Sequence, residues 1–204
     1  FAIRKDYLTE NPVSGIDIQA SPNIINRYLS DDELTRLISA CKRSSWKKLY
    51  LLVLMAITTG MRKSELIGLR WSDIDFKKNL AKLDDTKNGE PRLNPIPAPA
   101  MSELLNHREI GNGLIFNSPA KPDRPFDYTK RWKAALNEAG IEKFRFHDLR
   151  HTAASYLVMG GATLYDAAQI LGHKSTETTK RYAHLSTEHK AKVAERVMGN
   201  VFRM

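Results

Sequence analysis

The run Leu49–Ile57 is apolar on every side of a helix, and no other feature constrains the chain as much. With its flanks it predicts a helix from about Trp46 to Thr59. A helix with no polar face has to be covered all round, so it belongs at the centre of a helical layer. It is too short for a membrane span, which takes about 18 apolar residues, and Lys47 and Lys48 precede it. Gly60 ends it as a left-handed cap. At 204 residues the chain has room for one core around this helix, or one core and a small appendage. The single cysteine, Cys41, excludes an internal disulfide and a cysteine-rich metal site, and it is compatible with a reducing cytoplasm.

Local signals arrange the other elements. Residues 1–29 read as a linker, punctuated by Asn11-Pro12, Gly15 and Ser21-Pro22, with no sustained helical period. Phe1 stands where an initiator Met would, with no signal pattern behind it, and reads as the start of a piece of a longer protein. The folded body, residues 30–204, opens at Ser30, which with Glu33 makes a capping box. The helix it starts runs to about Lys42, with Leu34, Leu37 and Ile38 inward. A short helix over Lys63–Leu69 follows Gly60. Three short strands come next: Trp71–Phe76, Ala81–Leu83 and Arg92–Ile96. Asn88-Gly89 is a strong hairpin signal between the last two, and Pro95, Pro97 and Pro99 end the sheet. Helices are predicted over about Pro99–Asn106, Asp127–Ala139 (stopped by Gly140), His147–Met159 (stopped by Gly160-Gly161), Thr163–Leu171 (capped by Thr163 with Asp166, stopped by Gly172), Thr176–Ala183 and Thr187–Met198. The fold class is α+β, mainly α-helical, with one small three-stranded antiparallel sheet inserted.

Lys and Arg number 32 against 23 Asp and Glu, a net charge of +9. Such a surface suits a polyanion, because each neutralised phosphate releases counterions, although basic proteins that bind no nucleic acid have it too. Several local patterns could carry chemistry. His147 and Arg150, at i and i+3, share a helix face and pair a base with a permanent cation, or they are merely a solvated helix start. Arg62 lies at the mouth of a helix just after Gly60, where its guanidinium can meet a ligand beside free N–H groups. Glu65 is placed to orient it or to form a surface ion pair with it. Lys87 sits beside the Asn88-Gly89 turn, as many solubilising lysines do. Gly172 puts His173 at a helix exit, and Tyr182 follows nine residues later. A tyrosine there is ordinarily a packing residue.

Taken in chain order, Arg62, Lys87, His147-x-x-Arg150, His173 and Tyr182 closely resemble the signature of the tyrosine recombinases, the integrase family of site-specific DNA recombinases. The flanks match too: Thr59-Gly-Met-Arg-Lys-Ser-Glu-Leu through Asp75, His147-Asp-Leu-Arg-His-Thr, Leu171-Gly-His, and Arg181-Tyr-Ala-His-Leu. The likeness spans about residues 11–190.

The resemblance implies the integrase catalytic-domain fold and, with it, a chemistry. Tyr182 would attack a DNA phosphodiester, leaving a 3′-phosphotyrosyl link and a free 5′-hydroxyl. A partner strand's 5′-hydroxyl would then reverse the step. Arg62 and Arg150 would clamp the non-bridging oxygens, and His173 would add a hydrogen bond to the same phosphate. His147 would accept the tyrosine proton, Lys87 would protonate the leaving oxygen, and Glu65 would orient the arginines. His151, next to this set, has no assigned role. No metal, cofactor or ATP is implied; a zinc reading of His147 and His151 lacks a third ligand. The implied partner is double-stranded DNA carrying an attachment-like site, bound by a homotetramer, with DNA-bending accessory proteins as possible helpers. The isolated domain need not be a tetramer, and the C-terminal helix could pack on its own domain or on a neighbour. The implied setting is cytoplasmic and nucleoid-associated, and the segment before residue 30 would link to a helical DNA-binding domain. A type IB topoisomerase-like enzyme and a chromosome-dimer resolvase share the same chemistry. A vestigial DNA-binding domain and a metal-dependent nuclease are the readings furthest from it.

Overall fold

The computed structural model describes residues 1, 3–12, 14, 27–84, 91–173, 175–186, 191, 194, 195 and 198. Helix α1 (Asp31–Arg43) starts at the predicted capping box. Ser30 Oγ accepts from the Glu33 N–H at 3.2 Å, and the Glu33 carboxylate accepts from the Ser30 N–H at 3.1 Å. Packing reaches back before this cap. Leu29 is fully buried, its N–H donates to Thr152 Oγ1, and Arg27 pairs with Glu33 at 2.7 Å.

Helix α2 (Lys48–Thr59) is the central element. Leu49, Leu51, Leu52, Val53 and Met55 are all fully buried, and each such side chain contributes roughly 1.5–3 kcal/mol of burial energy. Packed around it are α1, α3 (Lys63–Gly68), α4 (Ala98–Asn106) and α6 (Asp148–Met159). Helix α5 (Thr129–Ala139) lies on α1, and α7 (Leu164–Leu171) and the one-turn α8 (Glu177–Lys180) follow α6. No described helix is long and apolar enough to cross a membrane.

The three-stranded antiparallel sheet is β1 (Ile74–Asp75), β2 (Leu80–Leu83) and β3 (Arg92–Pro95), in that spatial order. Ala81 pairs with Ile74 on one side and with Asn94 on the other. The first strand is shorter than predicted. Trp71–Asp73 forms a 3-10 turn because the Asp73 carboxylate accepts from the Arg70 N–H at 2.8 Å while its own N–H returns to the Arg70 carbonyl.

Other differences also have local causes. A second, two-stranded sheet of β4 (Asn117–Ser118) and β5 (Lys121–Pro125) was not expected, since a segment Lys-Pro-Asp-Arg-Pro has no alternation and β5 is exposed along its length. Helix α5 starts at Thr129 because the Asp127 carboxylate accepts from the Thr129 N–H and holds a turn there. Gly160 stays right-handed, and Gly161 takes the positive φ of 97°. The helix expected over Thr176–Ala183 is only the single turn α8, followed by a 3-10 turn at Ala183–Ser186. Lys87 and the Asn88-Gly89 turn lie outside the described residues. Of the terminal helix expected over Thr187–Met198, Ala191, Ala194, Glu195 and Met198 are described, and they are helical.

Gly60 caps α2 with φ 62°, as predicted, and a Cβ there would lie 2.4 Å from Leu171 Cδ2. Gly60→Ala is therefore expected to cost about 1–3 kcal/mol, read as a lower urea midpoint at unchanged slope. An unchanged midpoint would show that the cap is not strained by a side chain.

Candidate active site

Four chain segments converge at one end of α2. They are its own capped terminus at Gly60, the first turn of α3, the inner face of β3 and the capped end of α7 at Gly172. Asn94 on β3 ties two of these ends together, its amide donating to the Ile170 carbonyl at 3.1 Å and to the Thr59 carbonyl at 3.4 Å.

Arg62 precedes α3. Its N–H and its Nη1 donate to the two oxygens of Glu65 at 2.7 and 2.9 Å, and its Nη2 donates to the Gly172 carbonyl at 3.1 Å. The Glu65 side chain is 2% exposed, and it also accepts from Arg92 Nη2 at 3.0 Å. Arg150 reaches the pocket from the first turn of α6 and donates through Nη1 to the Gly60 carbonyl at 2.7 Å. Burial first, and then the neighbouring Arg62 and Arg92, push its pKa down to about 10, which still leaves it charged at neutral pH. Its surroundings are therefore strongly positive.

Two imidazoles, His147 and His173, face this charge, and a third, His151, lies beside them. His173 leaves α7 just after Gly172, whose φ is 68°, and its Nδ1 is 2.8 Å from the Thr179 hydroxyl on α8. Burial, followed by Arg150 and Arg62, lowers its pKa to about 4. His151 falls to about 4 as well, from burial and then His147. His147 is lowered by burial and by Arg150, and its ring meets that of His151 edge-on at 5.3 Å. At neutral pH His151 and His173 are neutral. Behind them, Arg145 forks onto Asp148, which opens α6, with Nη2 to Oδ1 at 2.8 Å.

Tyr182 is 3% exposed and belongs to a small apolar cluster with Ala153, Ala154, Val158, Ala167 and Leu171. Its hydroxyl is hydrogen bonded to His151 Nδ1. Burial raises the phenol pKa, with Arg181 and Arg150 acting the other way.

Arg62, Glu65, His147, Arg150, His173 and Tyr182 are thus drawn into one region, while Lys87 lies outside the described residues. The side chain on the tyrosine hydroxyl is His151, one turn along α6 from His147. Arg92, Asn94 and Thr179 were missed. For β3 a signal did exist: Arg92 and Asn94 alternate with Leu93 and Pro95, which means either the polar pair or Leu93 had to face inward. The structure buries Asn94 and leaves Leu93 63% exposed. Among the described residues no three His, Cys, Asp or Glu side chains gather as a metal site would require. What the pocket can do is bind an anionic, tetrahedral group against fixed guanidiniums, with a buried hydroxyl and a neutral base at its edge.

Comparison with known proteins agrees with this architecture. The model of the Phage integrase family matches residues 27–189, and the chain belongs to that family. The integrase of Salmonella phage P22 is 32% identical over 185 residues, 84% of this chain and 47% of that protein. The shufflon-specific DNA recombinase of Escherichia coli is 34% identical over 161 residues, 78% of this chain and 40% of that one. The chain therefore spans about half the length of these curated relatives. The catalytic domain of bacteriophage HP1 integrase superposes with a TM-score of 0.67 at 29% identity, covering 82% of this chain and 93% of that one. The mainly helical catalytic-domain fold with its small sheet is the fold present.

The two histidines lowered to about 4 have a consequence for stability. A base whose folded pKa lies below its unfolded value stabilises the fold above the unfolded pKa, near 6.5, and loses that contribution as pH falls through the folded one, near 4. The melting temperature is expected to drop between pH 6.5 and 4, and a His151→Gln/His173→Gln variant should show a flatter decline. An equal slope in both proteins would contradict the buried-neutral assignment.

Proposed function

We propose that this chain is the catalytic domain of a site-specific DNA recombinase that breaks and rejoins duplex DNA through a 3′-phosphotyrosyl intermediate, serving integration or excision of a phage or other mobile element. The observation that carries the reading is Tyr182, buried, hydrogen bonded to a neutral imidazole and set beside Arg150. The mobile-element assignment is supported by the likeness to the P22 integrase.

In this reading Tyr182 Oη attacks the phosphorus and the bond to the 5′-oxygen breaks. The phenol proton passes to His151, whose Nδ1 is already hydrogen bonded to the hydroxyl, with His147 next in line. Arg150 and Arg62 meet the non-bridging oxygens as negative charge grows there, and they are charged and fixed before the DNA arrives. His173, held by Thr179, donates to the same phosphate. The leaving 5′-oxygen takes a proton from Lys87, a role that rests on the family resemblance. An incoming 5′-hydroxyl reverses every step. The phosphodiester energy is kept in the protein–DNA bond, so no ATP is consumed, and the guanidiniums supply the charge that a metal would otherwise bring. The segment before Arg27 would connect this domain to a DNA-binding domain that completes a clamp on the duplex. Assembly would be a homotetramer on an attachment-like site, in the cytoplasm.

A nicked suicide duplex, which loses the short fragment carrying the 5′-hydroxyl, tests this directly. In EDTA the chain is expected to form a covalent protein–DNA adduct. Tyr182→Phe should form none, and Arg150→Ala should slow formation by roughly 100-fold or more. Adduct from Tyr182→Phe, or loss of adduct on chelation, would overturn the proposal. Relaxation of supercoils without recombinant products would instead favour topoisomerase-like strand passage.

A further inference from the structure

Arg92 belongs to no part of the mechanism above, yet it reaches into the same cluster. Its guanidinium contacts the buried Glu65 carboxylate at 3.0 Å, and its side chain is only 16% exposed. Glu65 does not require it, because Arg62 already pairs with that carboxylate through both a backbone N–H and Nη1. A third guanidinium here is an excess charge. Its Nε is buried with no hydrogen-bond partner, and burial pulls its pKa down. A buried guanidinium nitrogen without a partner loses hydration that nothing restores, so a well-packed apolar side chain would make a more stable fold.

The backbone is also shaped to admit this group. A Cβ on Gly172 would sit 1.5 Å from Arg92 Nη1 and 2.3 Å from its Cζ. The guanidinium lies where any side chain at position 172 would be, on the residue whose carbonyl accepts from Arg62 and whose neighbour is His173. The glycine therefore serves two needs, the left-handed cap of α7 and the room for Arg92.

We propose that Arg92 is a positioning residue of the strand-breaking site: by sharing Glu65 with Arg62 it keeps the cluster net positive and leaves the charge of Arg62 available to the DNA phosphate. With one carboxylate between two guanidiniums, the trio carries +1; without Arg92 the Arg62–Glu65 pair would be neutral. Of the three guanidiniums clustered here, Arg150 would then be the one left uncompensated. The claim rests on the recombinase reading, but its physical content, phosphate affinity set by charge at position 92, does not depend on turnover.

The test compares this chain with its Arg92→Gln and Arg92→Lys variants in two measurements. The first is single-turnover adduct formation on the suicide duplex at saturating DNA, from pH 5 to 9. Arg92→Gln is expected to lower the saturated rate roughly 10- to 100-fold, with the half-saturating DNA concentration within about threefold of the parent. Its rate should also rise at higher pH than the parent's, because removing positive charge disfavours the phenolate of Tyr182 and raises the pH at which it forms. Arg92→Lys, which keeps the charge, should recover most of the rate and the parent profile. The second is titration of inorganic phosphate followed by the ring signals of His147 and His173, where Arg92→Gln should bind about tenfold more weakly and Arg92→Lys should not. A glutamine variant with the parent rate, pH profile and phosphate affinity, altered only in melting temperature, would reduce Arg92 to a structural tie. A lysine variant as impaired as the glutamine one would show that charge is not what Arg92 contributes. If the parent forms no adduct, the recombinase reading fails, and the phosphate titration still decides the role of Arg92.

Discussion

The site depends on holding guanidiniums close together away from water. Like charges in a low-dielectric pocket repel, and each also loses hydration. The fold offsets this with one carboxylate and two helix ends. Glu65, almost fully buried, takes Arg62 and Arg92. Arg150 donates to the carbonyl of Gly60 at the end of α2, and Arg62 to the carbonyl of Gly172 at the end of α7. Both carbonyls lie at the negative ends of helix dipoles, where a cation is favoured. Both glycines adopt left-handed caps, which turn the chain sharply enough to aim these carbonyls inward. The arrangement compensates the charge only in part, and an anionic tetrahedral ligand would complete it.

The other half of the site is a buried, neutral tyrosine. Tyr182 belongs to the smaller apolar cluster, built where α6 meets α7, and not to the core around α2. Its surroundings raise the phenol pKa and lower those of His151 and His173, so in the free protein all three stay uncharged at neutral pH. A short helix, α8, carries Thr179, which fixes His173, and Tyr182 follows one residue past its cap. Tyr182 and the His173 imidazole are thus placed by one small structural unit.

Much of this was legible in the chain itself. The all-apolar α2, the Ser30 and Thr163 capping boxes and the glycine stops at 60, 140 and 172 are signals decided by neighbouring residues, and each lies where it was expected. The site residues were legible as a set only through the family signature, since His147, Arg150 or Tyr182 alone is unexceptional. Most of what escaped at the site depends on contacts between distant segments. Whether Arg92 or Leu93 faces inward is settled by Glu65 and by the missing side chain at Gly172, neither of which is near β3 in sequence. The role of His151 depends on where Tyr182 arrives after α8. The β4–β5 pairing uses two prolines and charged residues, against every strand preference, and the 3-10 turn at Trp71–Asp73 hangs on a single aspartate.

Strand breakage by Tyr182 requires that its own phenolic oxygen become bonded to DNA. Trypsin cuts after Arg181 and Lys190, so Tyr182 is released in the peptide 182–190, with no other tyrosine in it. Mass spectrometry of the digested, nuclease-trimmed protein–DNA adduct measures the attachment directly. A nucleotide joined through its 3′-phosphate to Tyr182 is expected. Attachment at another tyrosine, such as Tyr156 or Tyr165, or linkage through a 5′-phosphate, would contradict it.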